Sequence, residues 1–186
     1  VILGLLLSGT SQVLGPMQKE AIALDQKKQI LGAVIPGEEI AAMTPEEVNA
    51  YYGSHIASTV VDVNGKEVAG ATAQGVDVAK NYKKPVEERQ FPVYIFHAEG
   101  NESAVKSFIF PLYGDGLWDA IWGYLALDTD MNTVGGITLA HAGDTPGLGA
   151  RITAPGVQAS FEGKEIFTES GELVAIQMQK CEGKDY

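Results

Sequence analysis

One glycine-rich segment, FPLYGDGLWD (residues 110–119), brings two small residues next to an apolar pair. Its glycines, Gly114 and Gly116, allow positive φ angles or a close approach of the backbone to another group. Leu117 and Trp118 follow directly, and apolar side chains on such a loop could cover a flat ligand. The alternative is that the segment enters a strand and Trp118 packs in the core, as aromatic side chains usually do. Composition alone leaves both interpretations open.

A second segment, AGDTPGLGAR (residues 142–151), places three glycines and a proline in one short span. Glycine-rich turns expose backbone N–H groups that can bind carbonyl or phosphate oxygens. The alternative is a tight connection after a long strand, with no ligand.

Motifs for other chemistry are missing from the sequence. Zinc requires clustered Cys and His ligands, but His55, His97 and His141 are far apart and there is a single cysteine. Neither the GxSxG nucleophile elbow nor the GxGxxG dinucleotide fingerprint occurs. Asp115 and Asp119 could act at a site or solvate a loop. We therefore predict no metal site and no serine-hydrolase or Rossmann chemistry.

The elements that must position these segments are predicted to be antiparallel strands, with helices near the N-terminus. Tight turns between successive strands require antiparallel pairing, so the fold class is α+β, not a doubly wound parallel sheet. Thr44-Pro45-Glu46-Glu47 predicts a capped helix start. Residues 71–90 show no period and are predicted to form a loop. The predicted strand pairs are residues 56–63 with 67–69, 93–98 with 104–111, 120–127 with 133–142, and 166–168 with 173–179.

Length and composition indicate one globular domain, or one domain with an appendage. Hydrophobic residues make up 45% of the 186 residues and charged residues 20%, which excludes wholesale disorder. Asp and Glu total 24 against 13 Lys and Arg, a net charge of −11. This balance argues against nucleic-acid binding and against docking on anionic membranes through basic patches.

The N-terminal stretch VILGLLLSGTSQVLGPMQ carries no charge before Lys19. It is shorter than the ~20 apolar residues of a spanning helix. We expect residues 1–16 to be the C-terminal part of a transmembrane anchor helix, followed by a stalk helix (17–36) and a domain (37–186). A signal-peptide core and a buried core helix are the alternatives.

Both glycine-rich segments, with the strands between them, resemble one protein family. The patterns P-L-Y-G-x-G-L-W, G-Y-L-A-L, D-x-N-T-V-x-G-I and x-T-P-G-L-G occur in this order within residues 111–149. They resemble the C subunit of the sodium-translocating NADH:quinone oxidoreductase and, more distantly, the G subunit of the Rnf electron-transport complex. The resemblance spans most of the chain and is weakest across residues 35–90.

The resemblance implies an electron-relay flavoprotein subunit that does not turn over alone. Members of the family have one N-terminal transmembrane helix, a domain on the periplasmic side of the bacterial inner membrane, and other subunits of the complex as partners. They carry FMN on a threonine, through a phosphoester, in an S-G-[AG]-T-x-[TS] motif. Residues 1–186 lack this motif, so we expect the threonine beyond Tyr186. A flavin-free, membrane-anchored scaffold is the alternative.

The resemblance also assigns flavin contacts to particular residues. By position in the motifs, Trp118, Thr145, Gly147 and Leu148 match residues that the family places around FMN. Apolar side chains, among them Leu117, would cover a face of the isoalloxazine. Backbone N–H groups of the turn that ends at Gly149 would bind its polar edge or the ribityl chain.

Overall fold

The computed structural model describes residues 2–101, 104–116, 118–143, 145 and 149–174, with side chains of the first helix from Leu14 onward. The described helices are α1 (Ile2–Gly32), α2 (Gly37–Ala42), α3 (Pro45–His55), α4 (Val78–Tyr82) and α5 (Pro155–Ala159). The described strands are β1 (Ile56–Val61), β2 (Phe91–Phe96), β3 (Ser107–Asp115), β4 (Ala120–Asp128) and β5 (Val134–His141). Short 3-10 turns occupy Ala73–Gly75, Val86–Glu88 and Gly149–Thr153.

Within these residues, the strands form one sheet in the order β1-β2-β3-β4-β5. Every neighbouring pair is antiparallel. The predicted pairings of β2 with β3 and of β4 with β5 are confirmed, and so is the α+β class with helices near the N-terminus. The turn between β4 and β5 is held by Asp130, whose Oδ1 accepts hydrogen bonds from the Asn132 and Thr133 N–H groups at 2.9 Å.

Helix α3 begins at the predicted capping box. The Glu47 N–H donates to Thr44 Oγ1 at 3.3 Å, and the Thr44 N–H donates to Glu47 Oε2 at 2.7 Å. The two bonds satisfy N–H groups that have no partner inside the helix. The hydrogen bond from the Thr44 N–H to the carboxylate, with a further contribution from the Thr44 hydroxyl, holds the pKa of Glu47 below its ordinary value. The helix continues to His55.

One face of the sheet packs against α1 and α3. Tyr94, Ile109 and Ala126 are register partners on adjacent strands and are buried together. Ile30 and Leu31 of α1 are also buried in this core. The α1 end approaches β5 so closely that a Cβ on Gly136 would lie 2.4 Å from the Ala33 carbonyl oxygen. Burial raises the pKa of Tyr94 and keeps its hydroxyl protonated at neutral pH.

The opposite face of the sheet carries a second, smaller core. Leu127, Val134 and Ile137 are buried there with Phe161, which follows α5. Side chains alternate between the two faces along each strand, so β3 and β4 each contribute to both cores. The β3–β4 hairpin is thereby held from both sides.

Two predictions about local structure need correction. Residues 71–90 are not a plain loop, because they contain α4 and two 3-10 turns. These helices are too short to show a period. The start of α4 is held by Asp77, whose side chain accepts from the Lys80 N–H at 3.0 Å. The predicted strand at 67–69 is reduced to a single bridge between Val61 and Glu67. Likewise Phe167 and Leu173 form one bridge, and the rest of the predicted strand at 173–179 lies beyond Val174, outside the described residues.

Helix α1 runs without interruption past Pro16, the predicted end of the anchor. Its C-terminal turns belong to the domain core. None of the helices in the described residues is long and apolar enough to cross a membrane.

Candidate functional site

The two glycine-rich segments meet at one end of the sheet. The first runs through the end of β3 at Asp115 into the turn that Gly116 and Asp119 close before β4. The second leaves β5 directly after His141, whose register partner on β4 is Ile121. The Ala142 N–H donates to the Ala120 carbonyl oxygen at 3.1 Å. Segments that are more than twenty residues apart in the sequence are therefore adjacent in space.

The turn between β3 and β4 depends on glycine at position 116. The Gly116 N–H donates to the Asp119 carbonyl oxygen at 2.8 Å and closes the turn. A Cβ on Gly116 would lie 2.5 Å from that oxygen, whereas a Cβ on Gly114 would have no atom within 4 Å. Of these two glycines, only Gly116 stands where a Cβ would clash with the backbone.

Trp118 lies at the tip of this turn and is 71% exposed. The alternative that Trp118 packs in the core is therefore wrong. Because this indole is not buried in the core, its faces can contact a ligand. The turn presents a flat apolar surface at the junction of the two segments.

Asp119 connects the turn to the second segment. Its Oδ1 accepts from the Ala120 N–H at 2.7 Å. A Cβ on Gly143 would lie 3.6 Å from Asp119 Oδ2. Asp119 is thus a contact between the two segments, and the sequence alone could not distinguish this role from loop solvation.

The second segment is described at Thr145 and from Gly149 onward. Thr145 is exposed, and its carbonyl oxygen accepts from the Ala150 N–H at 3.3 Å. Gly149 is exposed and is the first residue of the 3-10 turn. Ile152 in the same turn is buried and packs the turn against the domain. The other candidate residues, Leu117, Gly147 and Leu148, lie outside the described residues.

The geometry suits a planar ligand better than a metal ion. The described carboxylates in this region belong to Asp115 and Asp119, and within the described ranges no three His, Cys, Asp or Glu side chains cluster in a way that could hold a metal. An exposed indole beside a polar, glycine-rich backbone offers one apolar surface and a set of hydrogen-bonding groups. Flat heterocycles with polar edges require this combination.

Comparison with known proteins places this junction in an FMN-binding domain. The model of the FMN-binding domain family matches residues 116–183, which begin at the β3–β4 turn and include the second segment. The curated relatives include the C subunit of the Na+-translocating NADH-quinone reductase from Pseudomonas aeruginosa, 32% identical over 93% of this chain and 70% of the relative. The corresponding C subunit from Pasteurella multocida is 30% identical over 91% of this chain and 69% of the relative.

Solved structures agree with the sequence comparison. The crystal structure of the C subunit of the Na+-translocating NADH-quinone reductase from Parabacteroides distasonis matches with a TM-score of 0.77 and 33% identity, covering 93% of this chain and 79% of that one. NqrC of Shewanella oneidensis matches with a TM-score of 0.66 at 21% identity, which shows the shared fold. This chain belongs to the family of C subunits of the Na+-translocating NADH-quinone reductase. The resemblance inferred from the sequence motifs is confirmed, and the Rnf G subunit and the flavin-free scaffold are not favoured.

Proposed function

We propose that this chain is the electron-relay flavoprotein subunit of a sodium-translocating NADH:quinone oxidoreductase, with FMN held where the two glycine-rich segments meet. The observation that carries the proposal is the exposed indole of Trp118, at the start of the region that matches the FMN-binding domain. NADH oxidation and quinone reduction belong to the partner subunits of the complex. This chain alone has no turnover.

The described residues fit a flavin. Trp118 would cover part of the isoalloxazine, and Gly116 lets the turn close without a side chain in the way. Thr145 and Gly149 are exposed on the neighbouring segment and would face the polar edge or the ribityl chain. Leu117, Gly147 and Leu148 complete the proposed contacts. FMN, when bound, supplies the electron uptake and release that these side chains do not provide.

The attachment of the flavin is proposed to be covalent. A phosphoester to a threonine that follows Tyr186 in the full-length protein would hold FMN independently of non-covalent affinity. This suits the electrostatics, because the net charge of −11 and the carboxylates of Asp115 and Asp119 repel a phosphate dianion. The surrounding residues then need only to orient the ring and set its environment.

The membrane arrangement is also a proposal. We place residues 1–16 at the end of a transmembrane anchor, residues 17–36 in a stalk helix, and residues 37–186 in a domain on the periplasmic side of the bacterial inner membrane. The uncharged sequence before Lys19 and the continuity of α1 from Ile2 into the domain core support this arrangement.

Mass spectrometry of the full-length protein, purified from cells that assemble the complex, tests the proposal. We expect a mass higher than that of the polypeptide by one FMN less one water, and a tryptic peptide after Tyr186 that carries the flavin on threonine. Unmodified full-length protein from such cells would contradict covalent attachment. Extraction of FMN with a denaturant would distinguish a non-covalent flavoprotein from a protein without flavin.

A further inference from the structure

A cavity lies between α4, residues 89–92 at the start of β2, and residues 110–113 of β3, which also begin the first glycine-rich segment. Its volume is about 230 Å³. We name it the Arg89 cleft and define it by the lining residues Val78, Tyr82, Arg89, Phe110, Leu112 and Tyr113. Pockets for drug-sized ligands measure roughly 300–1,000 Å³. The Arg89 cleft therefore suits a ligand with a single ring.

The guanidinium group of Arg89 supplies the cleft with a positive charge and hydrogen-bond donors. Arg89 is half-buried, and its Nε donates to the Lys84 carbonyl oxygen at 2.9 Å. Its Cζ lies 5.4 Å from the centre of the Tyr82 ring. The ion pair found among the described residues joins Lys80 to Asp77, and no described carboxylate lies within 4.0 Å of the Arg89 guanidinium. Its terminal nitrogens thus keep donors for a planar acceptor, and a carboxylate matches this geometry in a bidentate manner.

The walls of the cleft are aromatic and apolar. The rings of Tyr82 and Tyr113 lie 5.5 Å apart, centre to centre, at an angle of 56°. Phe110 and Leu112 contribute apolar surface from β3. Aromatic rings arranged in this way favour a further ring over an aliphatic chain of equal size.

The cleft is preformed. Asn81 is 7% exposed, and its side chain donates to the Gln90 carbonyl oxygen at 2.7 Å and accepts from the Gln90 N–H at 3.0 Å. These two bonds and the bond from Arg89 to Lys84 tie the end of α4 and the residues after it to residues 89 and 90, directly before β2. A ligand would not have to order this part of the chain, which lowers the entropic cost of binding.

We propose that the Arg89 cleft binds a small aromatic carboxylate, with the carboxylate on the guanidinium of Arg89 and the ring against Tyr82, Tyr113 and the apolar wall. The cleft shares residues 110–113 with the first glycine-rich segment, but none of the described flavin contacts proposed above lines it. The proposal follows from a half-buried guanidinium that has no carboxylate partner among the described residues, beside an aromatic wall.

Titration of benzoate into the isotope-labelled chain, followed by amide NMR shifts, tests the proposal. We expect saturable shifts centred on Asn81, Tyr82, Arg89 and Tyr113, with a dissociation constant below about 1 mM, as a ligand of this size allows. Benzyl alcohol keeps the ring without the charge, and cyclohexanecarboxylate keeps the charge without the flat ring. Both should bind about tenfold more weakly.

Two variants with the same change in charge sharpen the test. Arg89→Gln should weaken benzoate binding by about tenfold or more, because a charge-assisted hydrogen bond is lost. Lys83→Gln removes the same charge from a residue outside the cleft and should bind within about twofold of the wild type. Shifts spread over surface lysines, or equal binding by both variants, would overturn the proposal. The wild-type shift map decides the question even if Arg89→Gln does not fold.

Discussion

The side chain of Asp119 lies against the backbone of Gly143, across the junction of the two glycine-rich segments. A Cβ built on Gly143 would lie 3.6 Å from both Cβ and Oδ2 of Asp119. This contact joins the turn that carries Trp118 to the segment that carries Thr145. We therefore expect a large residue at position 143 to change the spacing between these two candidate flavin contacts.

The first prediction concerns position 143 itself. Gly143→Ala should leave the free energy of unfolding within about 0.5 kcal/mol of the wild type, because 3.6 Å is an ordinary contact and Gly143 is not in the left-handed region. Gly143→Leu should push Asp119 aside and change the flavin absorption spectrum of the full-length protein. Thermal unfolding and the absorption spectrum measure the two effects. An identical spectrum in Gly143→Leu would show that the contact does not position the flavin.

The second prediction compares the two glycines of the first segment. Gly116→Ala should destabilise the domain by about 1–3 kcal/mol, because the new Cβ would lie 2.5 Å from a backbone oxygen that cannot move without opening the turn. Gly114→Ala is the matched control, since no atom lies within 4 Å of its new Cβ. We expect Gly114→Ala to unfold as the wild type does in urea. Equal destabilisation of both variants would argue against the turn geometry.

The third prediction separates a ligand contact from a packing role for tryptophan. Trp118 is 71% exposed, so Trp118→Ala should change stability by less than about 0.5 kcal/mol. In the full-length protein it should shift the flavin spectrum while FMN stays attached. Trp122 is half-buried and lines the groove between α1 and β4. Trp122→Ala should lower the free energy of unfolding by about 0.5–3 kcal/mol and leave the flavin spectrum unchanged. The reverse result would remove Trp118 from the flavin site.

The fourth prediction is a pH dependence at the turn between β4 and β5. Hydrogen bonds from the side chain and N–H of Thr133, and from the Asn132 N–H, hold the pKa of Asp130 below its ordinary value of 3.8. A carboxyl with a lowered pKa stabilises the fold above its ordinary value and loses this effect as the pH falls through its folded value. The melting temperature of the wild type should therefore exceed that of Asp130→Asn at pH 7, and the difference should shrink below about pH 4. A difference independent of pH would contradict this role.

Local features of the fold could be predicted from the sequence because they depend on residues a few positions apart. The capping box of Thr44 and Glu47 needs only a hydroxyl and a carboxylate three residues apart. The β4–β5 hairpin follows from two strand-forming runs around a short acidic turn. The residues around the two glycine-rich segments also carried enough of the family's pattern to predict the FMN-binding domain, which comparison with known proteins confirmed.

The tertiary structure decided what depends on residues far apart in the chain. The exposure of Trp118 could not be predicted, because a tryptophan beside glycines is equally compatible with a core strand and with a bare turn until the sheet is assembled. The approach of Asp119 to Gly143 exists only because β4 pairs with both β3 and β5 and brings both turns to one end of the sheet. The Arg89 cleft likewise requires residues 78–90 to fold back on β2 and β3 through side-chain clamps that have no periodic signature. Local propensities determine which helices and strands form, whereas the packing of the whole sheet determines which distant side chains come into contact.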